Sequence, residues 1–98
     1  MIFELFNSTD AGLEISRIMD DLNRPGLAKQ LKKALGNLSR DPGHPGLQSH
    51  PVTQFDSLFG AKVFSSYVQN NTPGAHRILW VYGPKVRQIT VVAVIPHY

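Results

Sequence analysis

The chain has 98 residues, 42 % of them hydrophobic, with Gly and Pro together making 15, which marks a globular domain rather than a disordered segment. It contains no cysteine, which excludes disulfides, cysteine-bound zinc and a thiol nucleophile. The net charge of +3 is unevenly distributed: residues 1–56 carry six basic and seven acidic side chains, whereas residues 57–98 carry Lys62, Arg77, Lys85 and Arg87 and no acid. An uncompensated cationic half favours an anionic partner such as nucleic acid.

In chain order, "MIFELF" is short and β-prone and reads as a first strand, without the basic n-region of a signal peptide. Ser8, Thr9 and Asp10 offer N-cap oxygens. Ile15, Ile18, Met19 and Leu22 then recur at helical spacing, and "NRPG" at 23–26 ends that helix. A second helix is expected over 26–39, with Leu27, Leu31, Ala34, Leu35 and Leu38 on one side and Lys29, Lys32, Lys33 and Arg40 on the other. "DPGHPGLQSHP" at 41–51 must be a loop, since its prolines and glycines cannot continue a helix. Strands are expected over 62–68, 75–82 and 87–95, separated by the turns "QNNTPG" and "GPK". Short connections make these three an antiparallel meander. The expected architecture is α+β, in the order β-α-α-β-β-β, with a two-helix hairpin packed on an antiparallel sheet in one domain spanning 1–98. The longest apolar run, Val91 to Ile95, is far short of the ~20 residues of a membrane-spanning helix, and a cytoplasmic location is expected.

The four histidines match no metal-ligand spacing, and neither a Gly-x-Ser-x-Gly elbow nor a Gly-x-x-x-x-Gly-Lys loop is present, so no metal or other cofactor is expected. What remains is a set of cations and imidazoles. Cleavage of an RNA strand by its own 2′-hydroxyl needs a base, an acid and fixed positive charge, and can proceed without metal. His97, with an ordinary imidazole pKa of roughly 6.5, can move protons near neutrality. Tyr98 can donate a proton or orient a phosphate, and Arg77 offers a fork suited to phosphate oxygens. A sheet-surface Arg77 and a frayed His97–Tyr98 end are the plainer alternatives.

The order strand, two helices, then "AHRILWVYG…QITVVAVIPHY" resembles the RelE/ParE superfamily of type II toxin–antitoxin toxins, most sharply over residues 75–98. The His-Tyr ending resembles the YoeB branch, whose toxins cleave mRNA on the ribosome. The resemblance implies Arg77 as the phosphate-stabilising arginine, and His97 and Tyr98 as the proton-transfer and positioning pair. Lys62, His50, Gln48 and Arg87 are weaker candidates for substrate contact. It also implies a cognate antitoxin and ribosome-bound mRNA as partners, and leaves two alternatives: a ParE-like gyrase poison, and a non-catalytic module that binds RNA or an antitoxin. The YoeB branch carries a glutamate as candidate base. Its nearest counterpart here is Gln48, with His50 or His44 as possible substitutes, and the last strand lacks the added Arg or Lys of RelE-type members.

Overall fold

The computed structural model describes residues 2–69 and 75–96. Its elements are β1 (Glu4–Asn7), α1 (Thr9–Met19), α2 (Pro25–Arg40), a two-residue β2 (His50–Pro51), a one-turn α3 (Asp56–Phe59), β3 (Phe64–Tyr67), β4 (His76–Tyr82) and β5 (Gln88–Pro96). One five-stranded sheet runs in the order β1-β5-β4-β3-β2. Strands β2 to β5 pair antiparallel, as the short connections require, and β1 joins β5 in parallel. Strand β2 and helix α3 are additions to the expected order, lodged in the stretch between the second helix and the first meander strand.

Ser8 caps α1 as expected. Its hydroxyl accepts from the Ala11 N–H at 3.1 Å and donates to the Val92 carbonyl at 3.1 Å, so the cap also fastens the helix to the sheet. The helix stops at Met19, so Leu22, expected on its apolar face, is instead 93 % exposed. Pro25 opens α2, where a missing N–H is harmless. The predicted apolar side of α2 is buried at Leu27, Leu31, Ala34 and Leu38. These residues join Ala11, Ile18, Ile78, Trp80, Ile89, Val91 and Val94 in the core between helices and sheet.

The opposite face of the sheet has its own smaller cluster, with Val52, Val63 and Leu79 buried against Phe55, Phe59, Val81, Val92, Ala93 and Ile95. A β-bulge divides β5 between the two faces. Leu79 pairs with Ala93 but Trp80 pairs with Val91, so Val92 is the extra residue. Ile89 and Val91 therefore face the helices, while Ala93 and Ile95, of the same parity, face away.

A polar thread crosses the helix-side core. The Trp80 Nε1–H donates to Ser66 Oγ at 2.8 Å. Ser66 and Ser49 hydroxyls lie 2.7 Å apart, and Ser49 donates to the Pro42 carbonyl at 2.7 Å. Because the Ser49 proton is spent on Pro42, Ser66 donates to Ser49. The thread ties the 41–49 loop to the sheet.

Candidate active site

Arg77 is the second residue of β4, and alternation along the strand turns it away from the helices. Register places Tyr67 of β3 on one side of it and Ile95 of β5 on the other. Directly paired residues share a face, so the guanidinium lies over the Tyr67 ring, 3.7 Å from its centroid. Its Nη1 donates to the carbonyls of Gln69 at 3.2 Å, Ala75 at 3.4 Å and His76 at 3.2 Å. Only 7 % of the residue meets solvent. A largely buried guanidinium usually has a carboxylate beside it, since burying unpaired charge costs several kcal/mol, roughly. Here carbonyl dipoles and an aromatic face hold it. Among the described residues the ion pair is Arg17 with Glu14 at 3.3 Å, on the surface of α1. Arg77 thus presents a fixed positive charge that no described carboxylate neutralises, the arrangement needed to attract an anion.

His50 stands beside Tyr67, on the same face of the sheet as this cation. It pairs with Ser65, which puts its ring on the Arg77 face, edge-on to Tyr67 with centroids 6.3 Å apart. Its Nδ1 lies 2.9 Å from the Gln48 carbonyl. A carbonyl only accepts, so Nδ1 carries the proton and Nε2 of the neutral ring keeps its lone pair. Gln48 reaches this position in the left-handed conformation, with φ 46° and ψ 45°. Its role here is to orient His50 through its main chain.

His44 has the opposite tautomer. Its Nδ1 accepts from the Gly46 N–H at 2.9 Å, so the neutral ring carries its proton on Nε2. Gly46 is needed for this closeness, because a Cβ there would lie 3.1 Å from the imidazole. His44 and Gly46 border a cleft of about 420 Å³ between α2 and the end of β3, to which Tyr67 also contributes.

The remaining sequence candidates fall elsewhere. Lys62 lies at the far end of β3 from Tyr67, its ammonium 5.4 Å from the Phe64 ring centroid. Arg87 occupies the turn before β5, with φ 62°. It is eight residues from Ile95, about 25 Å along the strand. Neither is brought to Arg77. His97 and Tyr98 lie outside the described residues. Strand β5 is described as far as Pro96, which pairs with His76.

His76 adjoins Arg77 in sequence but faces the other way. It is buried, its Nδ1 has no hydrogen-bond partner among the described residues, and its pKa is lowered from 6.5. Burial is the main cause; the Arg24 charge adds to it and Glu14 opposes it. Sequence reasoning missed Tyr67, the platform for Arg77, and Gln69, whose carbonyl holds it. The signal for Tyr67 was its parity in the second expected strand, over 62–68, but that needed the register to be useful.

The sequence matches no protein-family model and no curated protein. Its fold does match solved structures. A YoeB/ParE toxin from Agrobacterium tumefaciens superposes with a TM-score of 0.71 at 14 % identity, over 97 % of this chain and 99 % of that one. The YoeB dimer from Staphylococcus aureus superposes with a TM-score of 0.69 at 12 % identity over all of both chains. The YoeB–YefM complex from Staphylococcus aureus gives 0.67 at 13 %, again over all of both chains. The chain therefore has the α+β fold of YoeB/ParE toxins. Among the described residues no helix is long and apolar enough to cross a membrane.

Proposed function

We propose that this chain is the toxin of a toxin–antitoxin pair and that it cuts mRNA on the ribosome. The observation that carries the proposal is Arg77: a largely buried cation without a described carboxylate partner, on the sheet face opposite the helices, in a fold shared with YoeB toxins.

The reaction is attack of a 2′-hydroxyl on the adjacent phosphorus. The bond to the 5′-oxygen breaks, leaving a 2′,3′-cyclic phosphate on one fragment and a 5′-hydroxyl on the other. His50 takes the 2′-hydroxyl proton at Nε2, the nitrogen left unprotonated by its bond to Gln48, and fills the place of the absent glutamate. Arg77 stabilises the negative charge of the phosphorane, which grows beyond that of the ground-state phosphate. His97 returns a proton to the departing 5′-oxygen, and Tyr98 positions the phosphate. The YoeB–YefM neighbour supports an antitoxin partner, and an acidic segment covering the Arg77 face would suit the acid-free half of the chain.

The test is a cell-free translation reaction with mRNA ends mapped by primer extension. The wild-type chain should cut within translated codons. Arg77→Lys, which keeps charge but loses the fork, and His97→Ala/Tyr98→Phe should each remove the cuts. Intact mRNA with folded wild-type protein overturns the nuclease reading. Inhibition of purified gyrase would then move the function to the second reading, that of a ParE-like poison.

A further inference from the structure

The cleft between α2 and β3 has no part in the chemistry above, yet its lining is specialised. Gln30, Lys33 and Asn37 recur at i, i+3 and i+7, and so project from one stripe of α2. His44 faces them from the loop, and Tyr67 and Gln69 from the end of β3, over an apolar floor that includes Leu47 and Val68. No carboxylate is present among the described residues that line it. At about 420 Å³ it has the size of a pocket for one small, flat ligand. The oxygens of its three carboxamides are already engaged, Gln30 by Gln69, Gln69 by the His76 N–H and Asn37 by Arg40 Nη2 at 3.1 Å, which leaves amide N–H groups for the acceptors of a nucleobase edge, and the Lys33 ammonium suits a single phosphate.

The cleft is also joined to Arg77. The Gln69 side chain donates to Gln30 Oε1 at 2.9 Å and accepts from the His76 N–H at 3.4 Å, while the Gln69 main-chain carbonyl accepts from Arg77 Nη1 at 3.2 Å. Tyr67 lines the cleft and stacks on Arg77. A strand of RNA crossing the sheet edge at Tyr67 would run from the cation on the outer face round to the cleft on the helix side.

We propose that this cleft is a nucleobase pocket that seats the nucleotide flanking the cleaved phosphate and so sets the sequence preference of the cut. The inference deepens the nuclease reading and rests on it for the word "cut". The carboxamides of Gln30, Asn37 and Gln69 select the base edge, His44 Nε2–H supplies a further donor, and Lys33 holds the phosphate beside it.

The experiment titrates the isotope-labelled full chain with each of the four nucleoside 5′-monophosphates and with inorganic phosphate, following side-chain amide and His44 ring signals by NMR. Saturable shifts at Gln30, Asn37 and Gln69 that differ among the four bases are expected. Asn37→Ala should weaken the preferred nucleotide about tenfold, within the range for loss of one good base contact. The same variant should redistribute cleavage among codons without abolishing it, since it leaves Arg77 and His50 untouched. Absence of shifts at millimolar nucleotide overturns the pocket, as do equal shifts with inorganic phosphate. Base-dependent shifts without any mRNA cleavage would uphold the pocket and sink the nuclease reading. Cleavage with an unchanged pattern in folded Asn37→Ala would do the reverse.

Discussion

Replacing Ser66 with Ala removes one oxygen from a site with no solvent exposure, and two neighbours lose a partner. Ser49 is half-buried and keeps its bond to Pro42, so water can meet its remaining need. Trp80 cannot recover in that way. It is 1 % exposed, and its Nε1–H would point at a methyl group. An unsatisfied buried donor costs about 1–3 kcal/mol, and 2 kcal/mol would lower the Tm of a domain this size by roughly 8–16 °C. The assay is thermal and urea unfolding of wild type, Ser66→Ala, Trp80→Phe and the double variant. Once Trp80 is Phe there is no indole to orphan, so the Ser66→Ala penalty should shrink, giving a coupling of about 1 kcal/mol or more. Additivity within about 0.3 kcal/mol would refute the reasoning and show that the indole finds another acceptor.

Other expectations follow from single residues. Leu31 has no exposure in the main core, so Leu31→Ala should destabilise by about 2–5 kcal/mol in urea unfolding, whereas Leu22→Lys, at an exposed position, should change stability by less than about 0.5 kcal/mol. His76 binds a proton more weakly folded than unfolded. The unfolded chain therefore takes up the proton first as pH falls through 6.5, and stability should be full above that value and decline below it, by no more than about 1.4 kcal/mol per pH unit. A His76→Leu variant should flatten that decline in equilibrium unfolding followed from pH 8 to pH 5. Tyr67→Leu removes the ring under the guanidinium, and should weaken stability by about 0.5–2 kcal/mol and reduce cleavage in the translation assay.

Helix α2 was legible because a single period of 3.6 governs it: four of the five apolar residues expected on its inner side are buried. The meander was legible because its connections are short. The two faces of β5 were not. Strict alternation would put Ile89, Val91, Ala93 and Ile95 on one side, and the bulge at Val92 transfers the last two to the other. The bulged Val92 also accepts, at its carbonyl, the Ser8 hydroxyl that caps α1, an interaction between residues far apart in sequence. Strand β2 escaped notice because two residues carry no period, and a proline among them argues against a strand unless it lies at an edge, where this one is. In the candidate site, Arg77 could be proposed by residue type alone. Its relation to Tyr67 and His50 depends on register, which cross-strand packing decides.

Strand β5 lies between β4 and β1 and supplies pairing to both, and α1 rests against it through the Ser8 cap. The first strand thus waits for the last. During synthesis, residues 4–7 emerge early with no partner, and their parallel ladder closes only when residues 88–91 have left the ribosome. The sheet that aligns Arg77 with Ile95 closes later still. Such long-range pairing folds slowly compared with helical contacts. A chain still being translated therefore lacks the assembled cation face until residue 95 has left the ribosome.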